Sequence, residues 1–278
     1  MKFFFIFALS SLVFIFQTEE IFGQCFDKRF VIKKNKWAKN LINGFETSEV
    51  KILFSDDSIA RLYAVRFTTS NFKSSIYLQK NKNLLINASK FSKKLDASII
   101  INAGFYDHNY RPMGYFRSNG KTYNSRILLK GTRRSLHFGA LLHIDKKTNR
   151  IMIHDRDSFN ENILGDVLQA GPFLFRNGKP VKGLRKYREF NRADRRTVLC
   201  ISKEGAIVIL VSESSDRGIS WCELQKLFAQ SRMGLGFYVK DAINLDGGSS
   251  TQLSINFRKF KRDIYGRPVP AFVVFHKK

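Results

Sequence analysis

Short apolar runs, most of them alternating with polar positions, set the texture of this chain. Residues 50–54 and 58–68 place apolar side chains at every second position, the pattern of strands with one buried face. Residues 97–102 are nearly all apolar and read as a buried strand, following the end of a helix at 91–95. Three more pairs of runs read as hairpins. Residues 113–117 and 121–127 flank Ser118-Asn119-Gly120, and Asn-Gly supplies the left-handed backbone that a two-residue turn needs. Residues 138–144 and 150–154 face each other across 145–149, and 197–202 and 206–211 across Lys203-Glu204-Gly205. One helix is marked at its start. Ser220 and Glu223 have capping-box spacing, Leu224, Leu227 and Phe228 share a face, and Gly234 ends the run. Hairpins with a few interspersed helices predict an α+β fold, with antiparallel or mixed β-sheets flanked by a few α-helices in a single domain.

The N-terminus breaks this texture. Lys2 precedes an apolar run over residues 3–16, which is short for a bilayer span and has the size of a signal-peptide core. Cleavage is expected after Gly23, giving 1–23 as signal peptide, 24–49 as lead-in and 50–278 as the main domain. The expected location is periplasmic or secreted. Cys25 raises lipid attachment as a minor alternative, although Phe22-Gly23-Gln24-Cys25 matches a lipid-attachment box poorly. The three cysteines (25, 200 and 222) are too few for a disulfide scaffold. Cys200 and Cys222 are expected as buried thiols, with a bridge between them as the alternative in an oxidising compartment.

Charge narrows the partners. Forty-eight Lys and Arg against 23 Asp and Glu leave a net +25, so an exported chain of this kind meets anionic surroundings. The cations are scattered over 33–36, 133–134, 185–188 and 258–262 rather than gathered on one helix. Scatter favours peripheral attraction to anionic surfaces over a nucleic-acid groove. No zinc-finger spacing or RNA-binding aromatic signature strengthens the nucleic-acid case, so nucleic acid is not an expected partner.

Four segments share one design, a buried strand that stops at polar or glycine residues. The most informative is 242–250, AINLDGGSS, where Asn244 and Asp246 precede Gly247, Gly248 and Ser249. Glycines without Cβ let the backbone turn sharply and approach a ligand, and a carboxylate beside converging donors suits a reaction that develops negative charge. Taken alone, Asp-Gly is more often a hairpin turn. The others are 101–107, with Asn102, Gly104 and Asp107; 168–179, with Gln169 and Gly171; and 195–200, with Arg196 at the mouth of a strand. Each of these also has a bland reading: an Asx turn, a tight turn, a surface arginine.

In this order the segments resemble the phosphodiester glycosidase family, which includes many exported bacterial proteins. The shared pattern runs through NAGFYD (102–107), PMGYF and an NGK turn (112–121) and LQAGPFLFRNGK (168–179). It continues with RRT and a KEG turn (195–205), GISWCEL (218–224) and AINLDGGSS (242–250), spanning about 50–275. Ser249 stands where mammalian members carry a third glycine, which puts their substrate in doubt here. The resemblance implies stacked antiparallel sheets with flanking helices, and hydrolysis of a sugar–O–phosphate linkage to free sugar and phosphate monoester.

The chemistry of these residue types fits that expectation. A phosphate monoester leaves readily, so stabilising its charge matters more than protonating it, and a guanidinium does so with paired hydrogen bonds. Arg196 is the expected phosphate clamp and Asp246 the base or nucleophile. Asn102 and Asp107 would orient water or sugar hydroxyls. Gly104, Gln169, Gly171, Asn244 and 247–249 would line the substrate, with the amides around Gly171 and 247–249 as oxyanion donors. The expected partner is a phosphorylated carbohydrate or an envelope polyanion, with no cofactor, a divalent cation being left open. Two other readings stand beside it. One is a metal-assisted phosphodiesterase with Asp107, Asp246 and Asn102 as oxygen ligands. The other is a non-catalytic binder of anionic envelope polymers. The five histidines offer no ligand pair at helical spacing, and His143 and His154 fall in strands without a role.

Overall fold

A computed structural model describes residues 30–34, 37–39, 44–129, 136–213, 217–257 and 260–278. The expected signal peptide at 1–23 and Cys25 lie outside these residues.

Among the described residues three sheets form, and every strand pairing recorded between them is antiparallel. The central sheet runs in the order Phe30–Lys34, Phe45–Phe54, Ile59–Phe67, Ile207–Ser212, Thr197–Ser202, Val239–Asn244, Phe173–Arg176, Lys179–Pro180, with Ala38–Lys39 also on Phe45–Phe54. A second sheet orders Ile151–Asp155, Ala140–Asp145, Gly165–Ala170, Phe116–Ser118 and Lys121–Asn124. The third orders Phe260–Ile264, Leu253–Phe257, Ile99–Asn102, Ala271–Lys277 and Phe72–Leu78. The α-helices among these residues are Ala88–Leu95, Trp221–Ala229 and Ser231–Leu235. The fold is therefore more β-rich than the expected α+β class, and its sheets are antiparallel rather than mixed. The physical reason is run length. Apolar runs of four to six residues joined by tight turns suit antiparallel neighbours, whereas parallel crossovers need a dozen or more residues.

Period-two alternation builds the layers. In the central sheet Val65, Leu199, Ile209 and Ile243 face a core shared with Ile99, Ile101, Val273 and Phe275 of the third sheet. Their neighbours Ala64, Val198, Cys200, Leu210 and Ala242 face the other way, against Trp221, Leu224, Leu227 and Phe228 of the capped helix. In the third sheet Ile100, Phe272 and Val274 face Ala88 and Phe91 of the first helix. The order is helix, sheet, sheet, helix, with the second sheet packed into the shared core through Leu142 and Leu168.

The capping box forms as expected: Ser220 Oγ accepts from the Glu223 amide at 3.2 Å, and Glu223 Oε2 accepts from the Ser220 amide at 2.8 Å. The helix stops earlier than expected, at Ala229, and Gly234 lies inside the next short helix. A Cβ on Gly234 would stand 2.6 Å from Ile32 Cδ1, so this glycine serves close packing rather than a stop. The sequence boundary at residue 50 is not a structural one, because Phe45–Phe54 crosses it and Phe30–Lys34 pairs onto that strand. Cys222 is disulfide-bonded while Cys200 is free and buried, so the alternative of a bridge between them is not realised. No described helix is long and apolar enough to cross a membrane.

Candidate active site

The strand Val239–Asn244 lies deep in the central sheet, flanked by Thr197–Ser202 and Phe173–Arg176. Its continuation does not turn back as a hairpin. The chain runs on through Asp246 and the 3-10 turn Gly248–Ser250 into Leu253–Phe257 of the third sheet. The Asp-Gly hairpin reading is thus replaced by a crossover that joins two sheets at one end of the molecule.

Asn102 holds that crossover. It is 1% exposed and its Nδ2 donates to the Asp246 carbonyl at 2.8 Å. Its Oδ1 accepts from Thr197 Oγ1 at 2.6 Å and from the Gln252 amide at 3.1 Å. The Asp246 amide donates to the Ala103 carbonyl at 3.1 Å. One amide side chain therefore ties the end of the third sheet to the carboxylate loop and to the central sheet.

Asp246 is half-buried, and its Oδ1 accepts from the Gly247 amide at 2.9 Å. Burial pushes its pKa up from the ordinary carboxylate value, opposed by the Ser250 hydroxyl, the Gly247 amide and the positive charge of Arg267. Ser250 Oγ lies 3.3 Å from Tyr106 Oη, which accepts from Arg267 Nε at 2.8 Å and Nη2 at 2.6 Å. A continuous polar path thus leads from the half-buried carboxylate to an exposed guanidinium. The glycines make room: a Cβ on Gly247 would stand 2.8 Å from the Arg195 carbonyl, and Gly248 adopts φ +59° beside the Asp194 carboxylate. The Gly248 amide donates to the Arg195 carbonyl, so of the amides at 247–249 only that of Ser249 has no recorded protein acceptor.

Arg196 is 6% exposed on the other side of the loop. Its Nε donates to the Ile219 carbonyl at 3.2 Å and Nη2 to the Arg192 carbonyl at 3.1 Å. Both atoms of the side-on fork are thus engaged by backbone carbonyls. Nη1 donates to no protein group among the described residues and stands 3.6 Å from where a Gly247 Cβ would be, beside the carboxylate loop. Burial lowers the Arg196 pKa, against the raising effects of Asp194 and Glu189. Among the described residues it makes no ion pair, whereas Asp194 pairs with Arg192 at 3.1 Å and Glu223 with Arg217 at 2.9 Å.

The wall beyond Arg196 is aromatic. Its Cζ lies 5.6 Å over the Trp221 ring, and the His137 ring meets Trp221 edge-on at 4.9 Å. Burial lowers the His137 pKa, with Glu189 Oε2 at 3.6 Å opposing. Gly171, at φ +151°, has no room for a Cβ, which would stand 2.5 Å from the His137 carbonyl. The Gly171 carbonyl accepts from Asn244 Nδ2 at 3.2 Å, which brings the ring of groups back to the strand that carries Asp246. Among the described residues, four of the seven buried side-chain atoms without a partner belong to this end: Arg195 Nε, Trp221 Nε1, Asn244 Oδ1 and Thr251 Oγ1. Unsatisfied buried polar atoms are few in folded proteins, and these four are open to water or to a bound group.

The structure therefore brings Asp246, Asn102, Arg196, Asn244, Gly171 and residues 247–249 together. Gln169 is a brace: its Oε1 accepts from the Tyr115 and Leu128 amides, and its Nε2 donates to the Leu128 and Phe138 carbonyls. Gly104 packs on the Gln169 carbonyl, where a Cβ would stand at 2.8 Å. Asp107 closes its own turn by accepting from the Asn109 and Arg111 amides, and these bonds lower its pKa. Among the described residues no three His, Cys, Asp or Glu side chains cluster as metal ligands would, and no recorded contact joins Asp107 to Asp246. The Ser250 hydroxyl was expected beside Asp246, whereas Tyr106, Asp194, Trp221, Arg267 and His137 were not singled out from the sequence as site residues. The first three of these lie inside or beside quoted motifs, whereas nothing local marks Arg267 or His137.

Fold and site together define a β-sheet protein with a desolvated carboxylate set across a glycine turn from a buried cation. The phosphodiester glycosidase family model matches residues 96–276, so the chain belongs to that family, a family of hydrolases. The fold is similar to the catalytic domain of zebrafish N-acetylglucosamine-1-phosphodiester alpha-N-acetylglucosaminidase, auto-inhibited by its pro-peptide, at TM-score 0.63 and 16% identity over 89% of this chain and 88% of that one. A hypothetical protein from Synechocystis is similar at TM-score 0.58 and 15% identity, over 89% and 64%. A Burkholderia pseudomallei K96243 protein described as exported is similar at TM-score 0.52 and 12% identity, over 79% and 74%. No curated protein sequence matches the chain.

Proposed function

We propose that this chain is an exported hydrolase that cleaves the bond between an anomeric carbon and a phosphodiester oxygen. The observation that carries the reading is the placement of Asp246, raised in pKa by burial, and of Arg196 at the same Gly247 turn, with Nη1 3.6 Å from where a Gly247 Cβ would stand. Family membership supports the reaction class.

The division of labour follows from charge. As the C–O bond breaks, its electron pair goes to the departing phosphate, whose growing charge faces Arg196 Nη1. Asp246, in its ionised form, either takes a proton from water attacking the anomeric carbon or attacks that carbon itself. A raised pKa strengthens the ionised carboxylate as a base. Asn102 cannot contact substrate without releasing a bond it already makes, so it acts by fixing the carbonyl of Asp246. Asn244 Oδ1, a buried acceptor with no donor, takes a sugar hydroxyl. Export is supported by the leader pattern and by the disulfide on Cys222, since disulfides persist in oxidising compartments.

The test is turnover of sugar phosphodiesters in ¹⁸O water. Label in the sugar, at its anomeric carbon, is the expected result, and label in the phosphate would mean P–O cleavage and end this reading.

A further inference from the structure

Two donors at this site share one property: neither has an acceptor. The indole Nε1 of Trp221, in a side chain 1% exposed, is a buried donor with no protein partner among the described residues, and Arg196 spends only Nε and Nη2 on carbonyls, leaving Nη1 over. The two groups lie against each other, with Cζ 5.6 Å from the ring. An orphaned buried N–H costs about 1–3 kcal/mol relative to a paired one, and a buried guanidinium without a carboxylate costs more. Asp194, Glu189 and Glu223 offset part of that cost through space, but none forms an ion pair with Arg196 among the described residues. Glu223 is held by Arg217 and by the capping box, Asp194 by Arg192 and the Arg195 amide, and Glu189 lies beside His137.

Backbone geometry adds to this. Trp221 is the first residue of the nine-residue helix Trp221–Ala229, and a helix N-terminus carries partial positive charge. The indole and the guanidinium thus meet at the start of this helix, and among the described residues neither the indole N–H nor Nη1 has a protein acceptor.

We infer that Trp221 Nε1 and Arg196 Nη1 form a two-donor site for a tetrahedral oxyanion, so that the phosphate of the substrate is read by an indole as well as by the arginine. The inference rests on the proposed role of Arg196 and extends it to a neutral donor. An indole N–H cannot be lost by titration, so this part of the site holds its hydrogen bond over the whole working pH range. It also explains how a guanidinium whose fork is occupied by carbonyls still makes a two-point contact: the second point is Trp221.

Inorganic phosphate is the probe, and the chain carries its own control. It has two tryptophans, and Trp37 Nε1 already donates to the Leu235 carbonyl at 2.9 Å. In the ¹⁵N-labelled protein, phosphate titration should shift the indole N–H resonance of Trp221 and leave that of Trp37 in place. Trp221→Phe should weaken phosphate binding by about tenfold or more, the range of a hydrogen bond to a charged group. If that variant does not fold, the resonance measurement on the natural chain decides alone. An unmoved Trp221 resonance at saturating phosphate, or no phosphate binding at all, overturns the inference. Hydrolysis of sugar phosphodiesters with an unmoved Trp221 resonance would sink only this inference. A shifted resonance without hydrolysis would sink the proposed function and leave the anion site standing.

Discussion

Burial raises the pKa of Asp246 above the ordinary carboxylate value, outweighing the donors around it. The linkage sign follows. A folded-state pKa above the unfolded one stabilises the protein at low pH, and this contribution is lost as pH rises through the folded value. Asp246→Asn keeps the shape and removes the titration. The variant should therefore gain thermal stability relative to the natural chain as pH rises from the ordinary carboxylate range to neutrality, while turnover collapses. A constant difference in melting temperature across that range, or retained turnover, would remove Asp246 from the role given to it. Arg196 gives a second residue-scale prediction. Lysine at this position keeps a charge but cannot hold the Ile219 and Arg192 carbonyls while also pointing a nitrogen at the loop. Arg196→Lys should lower kcat on the order of 10²-fold, the scale of one lost transition-state donor. A variant with full kcat would show that phosphate is held elsewhere.

Elements were legible where their signal was local. Asn119 and Gly120 both adopt positive φ and close the expected hairpin between Ser118 and Lys121, and Asn177 and Gly178 do the same between Arg176 and Lys179. The capping box places the start of its helix at the expected residue. The same local reasoning fails at Asp246-Gly247, because the dipeptide says that the chain turns and not which sheet it enters next. The site has the same asymmetry. Asp246, Arg196 and Asn102 were visible as strand-end polar residues, but the contact that joins Asn102 to Asp246 spans 144 positions. Arg267 meets Tyr106 across 161 positions, with no periodicity to announce it. The cap has its own measurable consequence. Ser220→Ala frees the Glu223 amide and should cost about 1 kcal/mol, or about 2–4 °C in a domain of this size. An unchanged melting temperature would mean that Glu223 and Arg217 hold the helix start without the serine.

At the scale of the whole molecule the net charge of +25 acts separately from the site. Arg196 and Trp221 are buried, so their grip on an anion is poorly screened, whereas the scattered surface cations act through solvent and are screened within roughly 10 Å at 0.1 M salt. The two contributions should come apart under added salt. On a small sugar phosphodiester, kcat/KM should change little as salt rises, because the buried donors carry the binding. On a long anionic polymer bearing the same linkage, kcat/KM should fall steeply, since surface attraction concentrates the enzyme on its substrate. Asp246→Asn should bind that polymer with the same salt dependence while cleaving none of it. If small and polymeric substrates respond to salt alike, the surface charge has no part in substrate capture.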